Sequence, residues 1–181
     1  MRNQTRRLTS IAITIALLIV GGGFIYSVSY LLGGAQVFKM ILLSLYFSIL
    51  LYLLMLRSPE IGTLSGLSVV LGIILGVFSP IMTFAIILAG VLTDLTSYLL
   101  FRGYGKGKKL IISVGYYPLY SVIVSLFLTS KLTIMYNNSA IILGIYIVGG
   151  LAAFILGIVG GNLGYHLNKK YLHWWTGLVS T

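Results

Sequence analysis

Asp94 is the single acidic residue inside an apolar stretch of this 181-residue chain. An ionisable side chain is costly to bury among apolar residues, so it marks either a functional site or a well-paired structural group. Thr93, Thr96 and Ser97 surround it, and a basic loop begins at Arg102. Two interpretations are open: a structural carboxylate that bonds hydroxyls or pairs with a basic residue, and a coupling or proton-relay group. A relay would need a second carboxylate in an apolar stretch, which the sequence lacks.

A second set of polar and aromatic residues lies near the loops that carry few charges. Ligand sites are apolar and aromatic pockets with a few convergent polar groups, so the set predicts a small-molecule pocket. An interfacial aromatic belt with polar loop tips would have the same composition. Lys39 would bind an anionic group or extend to the membrane surface. The candidate ligand-binding residues are Tyr30, Gln36, Lys39, Thr83, Ser125, Thr129, Asn138 and Tyr146.

Small residues recur at a spacing of four in several apolar stretches. Residues four apart share a helix face, and small ones let two helix backbones approach closely. Ala12 and Ala16 form such a pair in the first stretch, and glycines do so at 72 and 76, at 157 and 161, and at 160 and 164. Each pair indicates close packing, within the bundle or against a partner.

The sequence carries no recognisable signature of catalysis. Without cysteine, the chain has no thiolate nucleophile or thiolate metal ligand. His166 and His173 are too few for a metal cluster, and Ser68 has no histidine partner in an apolar stretch. We therefore expect no enzyme, no metal site and no cofactor.

The composition is that of an integral membrane protein. Hydrophobic residues make up 59% of the chain and charged residues 8%, whereas soluble domains carry about 25% charged residues. So few charges cannot cover a surface in water, and we expect membrane lipid around the apolar side chains. The net charge of +10 lies in short segments between apolar runs, which argues against a nucleic-acid partner.

The apolar stretches predict an all-α bundle of six transmembrane helices in a single domain, 1–181. The stretch 61–101 is too long for one crossing, and Ser79-Pro80 divides it because proline favours a helix start. The predicted spans are 8–32, 37–56, 61–78, 80–101, 110–129 and 140–165.

The basic residues predict the orientation of this bundle. With six crossings, ten cations fall on one side and two, Lys39 and Lys131, on the other, so the first side faces the cytoplasm together with both termini. The ten are Arg2, Arg6, Arg7, Arg57, Arg102, Lys106, Lys108, Lys109, Lys169 and Lys170.

This layout resembles the substrate-binding S component of energy-coupling factor (ECF) importers. S components often carry Ala-x-x-x-Ala in the first helix, and Ala12 and Ala16 are similar to that motif. The segments 72–76 and 90–94, with a glycine-rich last helix that ends in Lys-Lys, look most like the Trep_Strep group of S components.

The resemblance implies a partner set and a location. Ala12 and Ala16 would dock onto the shared coupling subunit, which works with two ABC ATPases, and the cargo would be a vitamin or similar micronutrient. The location would be the plasma membrane of a prokaryote. Two alternatives remain: a non-transport membrane scaffold or accessory subunit, and a stand-alone small transporter.

Overall fold

The computed structural model describes residues 2–31, 36–77, 79–105, 107–132 and 139–172. These residues form six α-helices, and a π-helical turn, Asn168–Leu172, continues the last of them. The helices are α1 Arg2–Leu31, α2 Gln36–Arg57, α3 Thr63–Gly76, α4 Pro80–Phe101, α5 Lys108–Leu132 and α6 Ser139–Leu167. The described part of the chain contains no strand, so the all-α prediction is confirmed for it.

Four of these helices are long and apolar enough to cross a membrane. The four segments are Arg7–Val28, Pro80–Phe101, Lys108–Leu128 and Tyr146–Lys170. Shorter apolar segments occur at Leu42–Arg57 and Thr63–Gly76. The 14 residues of α3 extend roughly 21 Å, which is less than the roughly 30 Å of a hydrocarbon core. The structure is therefore that of a membrane protein, and the six crossings stay a prediction.

Local sequence explains the ends of the two central helices. Pro80 is the first residue of α4, after an extended Ser79, as the sequence predicts. The predicted span 61–78 is longer than α3, because Gly62 adopts a left-handed conformation with φ of 87° and the helix starts only at Thr63. Glycine tolerates that conformation without the steric cost of a Cβ atom.

The helices form a closed ring in the order α1, α2, α6, α5, α4, α3, with α3 returning to α1 and with α2 also touching α5. The buried core between them is mostly aliphatic, with Leu18, Leu51, Met55, Leu67 and Val114 among its members. Glycines make the closest contacts on two sides of α6. A Cβ atom at Gly157 would lie 2.9 Å from the Cα atom of Gly115 in α5, and one at Gly160 would lie 2.7 Å from the carbonyl of Leu45 in α2. These glycine pairs therefore pack within the bundle.

One end of the bundle collects the starts of α1, α3 and α5 and the ends of α2, α4 and α6. The contacts that set this alignment are Arg7 with Glu60, Ser65 with Asp94, Ile111 with Gly161, and Tyr52 with Gly164. We name this end the basic end; its described cations are Arg7, Arg57, Arg102, Lys108, Lys109, Lys169 and Lys170. The grouping agrees with the side that the sequence assigns to most positive charges.

Candidate functional site: a buried carboxylate at the basic end

The Asp94 carboxylate lies inside the bundle, with only 4% of its residue surface exposed. Its Oδ2 atom accepts hydrogen bonds from the backbone N–H of Ser65, at 2.8 Å, and from the Ser65 hydroxyl, at 2.5 Å. Its Oδ1 atom accepts a hydrogen bond from the phenol of Tyr104. The Asp94 side chain thus links α4 to α3 and to the turn that follows α4.

Asp94 acts as the cap of a neighbouring helix. The residue before α3 is Gly62, which has no side chain to accept the free N–H groups of the first turn. Ser65 is the third residue of α3, and its N–H group is the usual partner of a capping side chain. Asp94 supplies that acceptor from α4, and the positive end of the α3 dipole favours its negative charge. The first turn of α3 therefore obtains its capping acceptor from a carboxylate of another helix.

Tyr104 reaches Asp94 because the chain reverses directly after α4. The turn begins at Arg102, whose φ is 55°, and the N–H of Arg102 bonds the carbonyl of Tyr98 at 2.8 Å. Left-handed backbone costs a residue with a Cβ atom about 1 kcal/mol. Gly103 follows with φ of 133°, and its N–H bonds the carbonyl of Ser97 at 3.3 Å. These bonds return the chain toward α4 and bury the Tyr104 ring.

The Tyr104 phenol is a permanent donor in this arrangement. Burial, and then the charge of the Asp94 carboxylate, raises the pKa of Tyr104. The Ser97 hydroxyl lies beside the phenol and is buried without a hydrogen bond of good geometry. The phenol consequently keeps its proton across the physiological range, and the carboxylate keeps three donors. Asp94 and Tyr104 therefore form a hydrogen-bonded pair inside the bundle.

The threonines next to Asp94 in the sequence do not bond it. The Thr93 hydroxyl donates to the carbonyl of Ala89 at 2.6 Å, and the Thr96 hydroxyl donates to the carbonyl of Leu92 at 2.8 Å. Thr96 also shares a hydrogen bond of 2.6 Å with the Tyr120 phenol of α5. Within the described residues, no salt bridge reaches Asp94. Of the predicted structural roles, the geometry supports hydrogen bonding to hydroxyls.

The structure describes the side chains of three of the eight predicted ligand-binding residues. Thr83 lies at the contact of α4 with α3, where its hydroxyl donates to the carbonyl of Gly72 at 3.0 Å. Ser125 and Tyr146 are half-buried on α5 and α6, which pack against each other. Asn138 lies outside the described residues. The side chains of the other four predicted members, Tyr30, Gln36, Lys39 and Thr129, also lie outside the described part of the structure. The pocket stays a prediction.

Ala12 and Ala16 lie on the exposed face of α1. The opposite face packs into the core through Ile11, Ile15 and Leu18. This pair differs from the glycine pairs of α6, since it contacts no neighbouring helix closely enough to be buried. Its face is open to lipid or to another protein.

The described residues contain no group of three or more histidine, cysteine or acidic side chains placed to hold a metal ion. Comparison of the chain with protein-family models, with curated proteins and with solved structures gave no match. Any assignment of function therefore rests on the residues themselves and on the resemblance that their layout carries.

Proposed function

We propose that this protein is the substrate-capture subunit of an ECF-type importer for a vitamin or similar micronutrient. The observation that carries the proposal is the exposed Ala12–Ala16 pair on α1, in the half of that helix that begins at the basic end. The same pair supports the resemblance of the sequence to S components, for which it would be the docking surface.

The chemistry of the exposed face of α1 supports a protein partner. Small residues in a membrane helix allow a second backbone to approach, and van der Waals packing then replaces contacts with lipid. Along α1, Leu8 precedes the Ala12–Ala16 pair, and Ile19 and Val20 follow it as exposed apolar side chains. A partner helix would rest in the shallow strip between them.

The arrangement of the helices is compatible with six crossings and cytoplasmic termini. The 22 residues of α2 extend roughly 33 Å, enough to cross the bilayer. The shorter α3 would cross with the extended residues at its ends, or with local thinning of the bilayer. Positive charges favour the cytoplasmic side, so the basic end would face the coupling subunit and the ATPases. The micronutrient would enter at the opposite end.

Asp94 has a structural role in this proposal. Three donors already occupy its oxygens, and each of its partners is a neutral group. A coupling or proton-relay group would have to exchange a proton during transport, which would release these donors. We therefore assign Asp94 to holding α3, α4 and the following turn together, and we assign transport energy to the ATPases.

Replacing both Ala12 and Ala16 with tryptophan is expected to abolish co-purification with the coupling subunit. The two indoles would fill the strip into which a partner backbone fits, while the core face of α1 stays unchanged. The measurement is affinity purification of the tagged protein from cells that express the coupling subunit and both ATPases. Recovery of the complex is expected to fall at least about tenfold, which corresponds to about 1.4 kcal/mol of binding free energy.

The matched control is the double variant Ile13→Trp/Leu17→Trp, which adds the same indoles to exposed positions on a neighbouring strip of α1. It is expected to retain the complex. Undiminished recovery with the Ala12→Trp/Ala16→Trp variant would refute the docking surface. Equal loss in both variants would also refute it, since general crowding of α1 would then explain the result.

A further inference from the structure

Among the described residues, three exposed cations lie at the turn between α4 and α5. Arg102 directly follows α4, and Lys108 and Lys109 begin α5. The chain has only two acidic side chains: Asp94 is buried with Ser65 and Tyr104, and Glu60 pairs with Arg7 at 2.9 Å. The two acidic side chains of the chain are therefore engaged elsewhere, which leaves the cations of the turn available to an external anion.

The described residues of this turn, 102–105 and 107–109, have a specific backbone geometry. Gly103 and Gly107 have positive φ values of 133° and 64°, and the Tyr104 phenol holds the loop to Asp94. The stem of Lys109 folds against Gly105, since a Cβ atom there would lie 2.8 Å from the Lys109 Cβ atom. The three cations thus project from described backbone on either side of position 106.

Arg102 occupies a position that favours glycine. It is the only non-glycine residue with positive φ in the described part of the chain, at a helix end where glycine is the usual choice. Strain of this kind persists where the side chain has a use. The Arg102 side chain is exposed, so it is available for contact with an external group.

The surroundings of the turn select the kind of anion. Tyr98, Leu99 and Leu100 directly precede it and are 54%, 70% and 57% exposed. Apolar side chains so exposed at the end of an apolar helix lie in lipid, which places the next residues at the level of the headgroups. Arginine forms paired hydrogen bonds with phosphate oxygens, and lysine adds point charges.

We propose that Arg102, Lys108 and Lys109 form a binding site for the phosphate of an anionic phospholipid. The site is distinct from the docking face of α1 and from the pocket predicted at the opposite end. Asp94 and Tyr104 would support it indirectly, by holding the turn that displays the three cations. The site does not depend on the transport function proposed above.

The test compares lipids around the protein in bilayers of phosphatidylcholine and phosphatidylglycerol. Spin-labelled versions of each lipid report the fraction held at the protein surface, and their ratio gives the preference for the anionic headgroup. The wild type is expected to prefer phosphatidylglycerol. The triple variant Arg102→Gln/Lys108→Gln/Lys109→Gln is expected to lose about tenfold of that preference, because it removes three cations near the headgroups.

The control variant is Arg57→Gln/Lys169→Gln/Lys170→Gln, which removes three charges from the same basic end. This variant is expected to lose less than about threefold of the lipid preference. Some loss is expected because the removal of any three cations from this end weakens the general attraction to anionic lipid. Equal loss in both variants would overturn the site in favour of a diffuse basic surface. Absence of any wild-type preference would also overturn it and would favour an acidic protein segment as the partner.

Two further measurements serve as controls. The double variant Lys108→Gln/Lys109→Gln leaves the strained Arg102 in place, so a loss of preference there cannot come from a misfolded turn. Millimolar inorganic phosphate is expected to leave the lipid preference unchanged. Displacement of the labelled phosphatidylglycerol by phosphate would contradict a lipid site and would indicate a site for a soluble anion.

Discussion

Replacing Asp94 with alanine is expected to destabilise the folded protein by about 3 kcal/mol or more. The change leaves the Ser65 N–H, the Ser65 hydroxyl and the Tyr104 phenol without their acceptor, and each unpaired buried donor costs about 1–3 kcal/mol. The lost Ser65 N–H bond is the cap of the first turn of α3, which Gly62 has no side chain to replace. Reversible unfolding in detergent micelles, followed by circular dichroism, measures the change.

Two milder variants separate the parts of this effect. Tyr104→Phe removes one donor and keeps the cap, so a loss of about 1–2 kcal/mol is expected. Asp94→Asn keeps one good acceptor and is expected to fall between the other two variants. Equal stability of all three variants and the wild type would show that the buried hydrogen bonds do not hold the fold. A folded Asp94→Asn variant that binds ligand but no longer transports it would restore the coupling role.

Replacing Gly90 with alanine is expected to destabilise the contact between α3 and α4 by about 2–3 kcal/mol. The new Cβ atom would lie 2.4 Å from the Cβ atom of Ser68 and 3.0 Å from the carbonyl of Leu64. Neither the Ser68 Cβ atom nor the Leu64 backbone can move without separating the helices, and overpacking of this kind costs about 1–3 kcal/mol. Thermal unfolding in detergent gives the measurement.

Gly66 provides the control for this prediction. It lies in α3, near Ser68, yet a Cβ atom there would meet nothing within 4 Å. Gly66→Ala is therefore expected to be neutral or to stabilise by up to about 1 kcal/mol through helix propensity. The double variant Gly90→Ala/Ser68→Gly would recover part of the loss. A Gly90→Ala protein as stable as the wild type would contradict the close approach of the two helices.

The sequence predicts the helices well because their signals are local. The break at Pro80 depends on the missing N–H group of proline, and the structure starts α4 at that residue. The distribution of charge between loops similarly anticipates the basic end. The start of α3 is less predictable, because Gly62 ends the preceding turn in a left-handed conformation that the neighbouring residues do not predict.

The sequence does not predict the hydrogen-bond partners of Asp94. Thr93, Thr96 and Ser97 are near it in the chain, but helical geometry lets the two threonine hydroxyls bond their own backbone. Ser65 is brought in by the packing of α3 on α4, and such contacts have no local signal. Tyr104 had a weak signal, since an aromatic residue in a turn of glycines and lysines often serves as an anchor. The Ala12–Ala16 pair is predictable as a motif, and the structure places it on the exposed face of α1.

Native mass spectrometry of the protein purified from its own host tests the proposed function most directly. A substrate-capture subunit binds its cargo before it meets the ATPases, so the wild-type protein is expected to carry one small molecule per chain. The Ala12→Trp/Ala16→Trp variant is expected to retain that molecule while it loses the coupling subunit. A wild-type protein that carries no small molecule, and whose partners do not include a coupling subunit, would contradict the proposal and would favour a membrane scaffold.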